Sequence, residues 1–187
     1  MKKLFSIEDR VYKIEDGVEV PDKTMVFPII DPEQQRKSEI EIFEPMSLAM
    51  GELEKGEVSS IHVHPIIAHV TWVLSGKLQV KMKDHEHQEA YTLDVETNQA
   101  VLTKPGTFFQ LINRGADTCK ILYQCAPAFV FDMDQNGTVF YNDAIVLEKY
   151  TWEKLQQLNW DIPELKEDIE SIKKRRQETI QKMQSKK

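Results

Sequence analysis

Cysteine is scarce in this chain, and long apolar runs are missing. Of 187 residues only Cys119 and Cys125 are cysteine. They fall six apart in a strand-like run, which sets them about 20 Å apart on one face, beyond disulfide reach. Free thiols point to a reducing compartment. No stretch approaches the ~20 apolar residues of a spanning helix. The opening MKKLFSIEDR carries two lysines but no apolar run of signal-peptide length, so the expected location is cytoplasmic, away from membranes. Excess positive charge is lacking too. The 24 Lys and Arg against 31 Asp and Glu leave a net charge of −7, which argues against nucleic acid and suits a small-molecule partner. The sequence has no repeats or low-complexity tracts. Its length fits one domain with a substantial core.

What the chain does have is histidine in one place. Gly56–Gly76 reads GEVSSIHVHPIIAHVTWVLSG. Ile61–His64 reads as a strand, so His62 and His64 point the same way. Pro65 breaks the run. His69–Leu74 alternates His69, Thr71 and Val73 against Val70, Trp72 and Leu74. An antiparallel pairing of these two strands is expected to bring His69 back beside the first pair. Three converging imidazoles form a site for Fe, Zn, Ni or Cu.

The spacing of this stretch resembles the first signature motif of the cupin superfamily: Gly, five residues, His-x-His, four residues, a ligand position, six residues, Gly. The family usually has Glu at that ligand position, where this chain has His69. Lys104–Asn113 (KPGTFFQLIN) resembles the second motif: Gly106 and Asn113 fit, and Phe109 stands at the histidine position. The resemblance runs from about Leu48 to Phe129. It implies an all-β fold, a cupin-like double-stranded β-helix (jelly-roll) barrel. It also implies similarity to cupin dioxygenases with a three-histidine iron centre, including the β-diketone-cleaving type. Iron(II) is therefore the expected divalent metal, ahead of Zn, Ni or Cu.

The rest of the chain supports a barrel independently of the family. Leu78, Val80 and Met82 alternate with Lys77, Gln79, Lys81 and Lys83, a half-buried strand. Further strands read at Val18–Val20, Met25–Ile30, Pro45–Leu53, Tyr91–Asp94, Gln99–Thr103, Thr107–Ile112 and Thr118–Cys125, with turns between them. Many short strands at even spacing argue for a sandwich or barrel. Three regions follow: residues 1–44 as an N-terminal arm packing strands on the barrel without chemistry of its own, 45–149 as the barrel, and 150–187 as a C-terminal helical tail. Glu33–Ser38 reads as a loop or one helical turn. His85 and His87 lie in a polar hairpin tip read as solvated. Asp161 is a candidate cap for a helix over Glu164–Lys187, with Pro163 in its first turn. The basic run Lys173–Arg176 reads as a solvated helix end.

Asp132, Asp134, Asn136, Gly137, Val139 and Asp143 match positions one, three, five, six, eight and twelve of a calcium loop. Strand-like Phe129–Phe131 before it and Asp at the last position favour an Asn-Gly hairpin instead.

Three neutral imidazoles would leave a bound ion its full 2+ charge, a strong Lewis acid with open positions. The expected function is a mononuclear metal-dependent enzyme, an oxygenase acting on a small organic acid or enolisable carbonyl compound. A redox-neutral lyase or isomerase comes next, and a non-catalytic small-molecule-binding or assembly protein is the reading from another class. The metal ligands are His62, His64 and His69. Gln110 and Thr71 are candidates for a further ligand or an outer hydrogen-bond donor, although alternation turns Gln110 outwards if Phe109 faces in. Phe109, Tyr123 and Trp72 are candidates for the pocket lining. Glu52, Glu57 and Tyr123 are the candidate bases. A homodimer or higher homo-oligomer is expected.

Overall fold

The computed structural model describes residues 17–30, 46–84, 89–157 and 168–185. Its strands in chain order are β1 (Val18–Glu19), β2 (Met25–Ile30), β3 (Ser47–Leu53), β4 (His62–Val63), β5 (Ala68–Ser75), β6 (Lys77–Lys83) and β7 (Tyr91–Glu96). They continue as β8 (Ala100–Thr103), β9 (Phe108–Asn113), β10 (Cys119–Ala126), β11 (Phe131–Met133), β12 (Val139–Tyr141) and β13 (Ile145–Val146). One antiparallel sheet runs β1-β2-β3-β10-β5-β8, and a second runs β13-β4-β9-β6-β7. They face each other as an all-β jelly-roll barrel, followed among the described residues by helices α1 (Trp152–Gln157) and α2 (Ile169–Ser185).

Period-two alternation builds the core. In β6 Leu78, Val80 and Met82 are buried while Lys77 is exposed. In β10 Cys119, Ile121, Tyr123 and Cys125 are buried, and Lys120, Gln124 and Ala126 are exposed. These inward rows meet Leu53, Val73, Phe109 and Leu111 in one cluster between the sheets. Burying side chains of this size stabilises by about 1.5–3 kcal/mol each. Gly76 closes the β5–β6 turn at φ +90, where an added Cβ would come within 3.0 Å of the Cys119 backbone, so both conformation and space call for glycine.

The histidine strands do not pair with each other. β4 pairs with β9 and β13, whereas β5 pairs with β10 and β8. His69 reaches His62 and His64 across the gap between two facing sheets, not along a shared ladder.

A second cluster lies on the other face of β4 and β9. There Val63 and Phe108 pack against Leu147, Trp152 and Leu155, so α1 covers that sheet. Lys83 donates to the Leu155 carbonyl at 2.6 Å. The cap of α2 is Asp168, whose carboxylate accepts from Ser171 N at 2.9 Å and Ser171 Oγ at 2.8 Å. Asp161, Pro163, Glu33–Ser38, His85 and His87 lie outside the described residues.

The basic run is not a solvated end throughout. Arg176 is buried with Ile172, Thr179 and Ile180 on one face of α2. Its Nε donates to Asp143 Oδ2 at 3.0 Å, and its terminal nitrogen donates to the Ala128 carbonyl. Arg175 Nε donates to the Asn142 carbonyl at 3.1 Å. These contacts also remove the calcium loop. Strands β11 and β12 flank the Asn-Gly turn. Asp134 Oδ1 closes that turn by accepting from Asn136 N and Thr138 N, both at 2.8 Å. Asp143 is committed to Arg176 and to Val130 N. Asp132 and Asn136 are exposed.

Candidate metal centre

Alternation in β4 turns His62 into the barrel while Val63 faces α1. The register sets His62 opposite Phe109, and their ring centres stand 4.0 Å apart. His64 follows β4, its carbonyl accepting from Gly106 N at 2.8 Å. His69 sits in β5 opposite Cys125. All three side chains are buried. Tyr123 stacks on His69, 4.9 Å between ring centres. It has room because residue 51 is glycine, where a Cβ would stand 2.5 Å from the Tyr123 ring.

The nitrogens are set differently at each ring. His62 Nδ1 lies 3.0 Å from the Ser60 carbonyl. A carbonyl only accepts, so Nδ1 carries the hydrogen and Nε2 of the neutral ring carries a lone pair. Burial holds the His64 ring well below its ordinary pKa, with His62 and His69 adding to the effect. Burial, then His62, brings His69 down to about 3. Both rings are neutral at pH 7 and free to bind a metal. The Nδ1 atoms of His64 and His69 are buried without a hydrogen-bond partner.

The donor set fits a divalent transition metal. Two imidazoles on one tetrahedral ion, about 2.1 Å from each nitrogen, put their ring centres about 5.2 Å apart. His62 and His64 stand at 5.4 Å, and His64 and His69 at 5.5 Å. The donor atoms are not yet gathered: among the described residues no three His, Cys, Asp or Glu side chains are arranged to hold an ion.

The histidines form one wall of a cavity of about 650 Å³, counting its open mouth. Val20, Val26, Leu48, Phe129 and Phe131 give it an apolar lining, with Tyr123, Tyr141, Thr24, Ser47 and Asp22 as polar points. Among the described residues no Lys or Arg lines it. Tyr123 lines the pocket. Phe109 lies beneath it, packed on the His62, His64 and His69 rings.

Three candidates fall elsewhere. Gln110 points away, because Phe109 faces in. Its Nε2 donates to the Ser59 carbonyl at 2.7 Å, and its Oε1 accepts from Trp152 Nε1 at 2.8 Å. Trp72 is 45% exposed on the outer face of β5, the opposite face from His69 and Thr71. Thr71 is buried, but its hydroxyl has no hydrogen-bond partner among the described residues, so it orients no ring. Of the candidate bases, Glu52 pairs with Lys120 at 3.0 Å and Glu57 accepts from Glu54 N at 2.6 Å, each tied to a neighbour.

Asp22 is not legible in the sequence as a site residue. It comes from the β1–β2 turn of the arm, which thus reaches the site instead of merely covering the barrel. The sequence marks only the turn, as Pro21-Asp22-Lys23-Thr24 between two short strands.

Residues 49–125 match the family model of the cupin domain. The comparison with curated proteins gives no match. Among solved structures, oxalate oxidase aligns with a TM-score of 0.51 at 16% identity, over 68% of this chain and 59% of that one. This chain thus spans about 59% of the length of that relative. A mutant of Bacillus subtilis oxalate decarboxylase OxdC aligns at 0.50 and 14%, over 71% and 30%. Peruvianin-I, a cysteine peptidase from Thevetia peruviana latex, aligns at 0.56 and 11%, over 77% and 82%. At these identities the likeness concerns the fold. In this chain burial pushes the Cys119 thiol up to about 11 and the Cys125 thiol up to about 12, so neither is a thiolate at neutral pH. The stretch that carries the three histidines thus matches the cupin-domain model over residues 49–125, and the barrel around it shares the fold of these structures.

Proposed function

We propose that this protein is a mononuclear metal-dependent cupin enzyme, an oxygenase acting on a small enolisable carbonyl compound or organic acid. The observation that carries this reading is the trio of buried imidazoles on one cavity wall, two of them kept neutral by burial. His62, His64 and His69 would hold one divalent metal, Fe(II) ahead of Zn, Ni or Cu. When bound, that ion supplies Lewis acidity and, as iron, oxygen chemistry. The protein's own share is binding and exclusion. The apolar lining takes the body of the substrate and keeps water away, while the Tyr123 and Tyr141 hydroxyls face its polar end. Burial raises both phenols well above their usual pKa, which keeps them protonated as hydrogen-bond donors.

Metal content by elemental analysis tests this. About one equivalent of a transition metal is expected in the wild type, and its loss in His62→Ala/His69→Ala. A wild type that takes up no Fe, Ni or Zn under anaerobic loading sinks the enzyme reading. Oxygen consumption with candidate substrates then separates oxygenase from lyase or isomerase.

Phe109 at the position of the second-motif histidine, packed on the His62 ring at 4.0 Å, favours a second reading, a non-catalytic small-molecule-binding cupin. We also take residues 1–44, 45–149 and 150–187 as arm, barrel and tail of one unit. Two free buried cysteines support a reducing, cytoplasmic setting. Exposed Trp72, Leu74 and Leu102 on the outer face of the six-stranded sheet support a homodimer, which light scattering would measure.

A further inference from the structure

We propose that Asp22 supplies a carboxylate to the metal centre, delivered by the N-terminal arm instead of by a barrel strand. The inference rests on the metal-binding reading given above. Three observations lead to it.

The first is how firmly Asp22 is placed. The β1–β2 turn is closed by Lys23 N to the Val20 carbonyl at 2.8 Å and Val20 N to the Thr24 carbonyl at 3.0 Å. Lys23 adopts φ +73, a left-handed conformation that the closed turn holds in place. Ser60 N donates to the Asp22 carbonyl at 2.9 Å, which fastens the turn two residues before His62. The side chain is oriented as well. Its Oδ1 accepts from Thr24 N at 3.1 Å and from Thr24 Oγ1 at 2.8 Å.

The second is what Asp22 Oδ2 faces. It stands 3.6 Å from His62 Nε2, with both side chains at most 5% exposed. Since Ser60 fixes the hydrogen of His62 on Nδ1, the neutral ring turns a lone pair toward a carboxylate oxygen. The Tyr141 hydroxyl also hydrogen-bonds the Asp22 carboxylate, and a cation bound between that carboxylate and the His62 lone pair would be attracted to both. Two ligand atoms on one tetrahedral ion, each about 2.1 Å from it, lie about 3.4 Å apart. The observed gap is close to that.

The third is charge. Among the described residues the cavity lining has no Lys or Arg to offset a buried carboxylate, and neutral imidazoles contribute no charge. A dication between Asp22 and the three histidines balances the carboxylate and keeps a net single positive charge for a substrate. A proton on His62 is the competing account. It would make Asp22 one half of a structural ion pair with no bearing on metal.

Cobalt(II) titration of the full chain, with chelator competition, separates the two. Asp22→Asn keeps the size of the side chain and its amide oxygen for Thr24. It is expected to weaken Co(II) affinity by about 10-fold or more and to shift the visible ligand-field bands. Asp22→Glu, which restores the carboxylate, should recover part of the affinity. Difference infrared spectra of the wild type alone should show a carboxylate stretch shifting on metal binding, which needs no variant to fold. Unchanged affinity and bands in Asp22→Asn, or no carboxylate shift in the wild type, overturn the role of Asp22 while leaving the histidine site standing. A wild type that binds no Co(II) overturns both.

Discussion

Asn113, at one end of the barrel, donates its amide to the carbonyls of Leu53, Glu54 and Asp117 at 2.9, 3.1 and 2.9 Å and accepts from Gly115 N at 2.8 Å. At the other end His64 and His69 leave Nδ1 atoms buried with no partner among the described residues. Both ends bury polar side chains from the same two sheets, yet one is saturated and the other is not. A satisfied buried amide ties two turns together. An unsatisfied imidazole costs stability and persists where a ligand completes it. Asn113 therefore belongs to the architecture, while the open Nδ1 atoms of His64 and His69 support the proposed metal site, although each lies at a motif position. The Arg176–Asp143 pair is the exception on the cavity side, a buried charge with its partner in place.

The largest break in this contrast is Arg176→Ala. It leaves the Asp143 carboxylate buried without its guanidinium, and a loss of about 3–5 kcal/mol is expected, read by denaturant unfolding. Asn113→Ala comes next. Four hydrogen bonds at about 1 kcal/mol each, with carbonyls left unpaired, predict a loss of about 3–4 kcal/mol and no change in metal content.

The smallest effect is the sharpest test. His69→Leu is expected to change the stability of the metal-free protein at pH 7.5 by less than about 1 kcal/mol, because the buried Nδ1 has no hydrogen bond to lose and leucine keeps apolar contact with Tyr123 and Phe109. The pH dependence should then separate the two proteins. His69 is held at about 3 in the folded state against 6.5 for an ordinary histidine. The unfolded chain takes up a proton between those values and the folded one does not, so stability is full above pH 6.5 and is lost as pH falls toward 3. Chemical unfolding from pH 7.5 to 4 should show a steeper acid loss in the wild type than in His69→Leu. Asp143, whose carboxyl burial pushes up to about 7, contributes an opposite slope common to both. Equal acid slopes would dissolve the distinction between the two ends.

Local periodicity makes the barrel legible. Strands such as β6 and β10 announce their buried faces by alternation, and alternation also puts Gln110 outside once Phe109 is inside. The same rule places Trp72 on solvent, since His69 and Thr71 face in. The three histidines are legible as neighbours. Their route to each other is not, because sheet partners are fixed by contacts across the whole barrel and not by adjacency in sequence. Asp22 is invisible for the same reason: its neighbour His62 lies 40 positions on, with no pattern linking the two. Arg176 reads like one more surface base in a charged helix. Only the long-range geometry reveals that it lies against Asp143.

That contact sets an order of events during synthesis. The cavity wall around Phe129 and Tyr141 is anchored through Ala128, Asn142 and Asp143 to arginines 33 or more positions downstream. The ribosome delivers the two sheets first and α2 only afterwards. Until α2 has emerged, a nascent chain lacks the arginine contacts that fasten this wall in the finished fold.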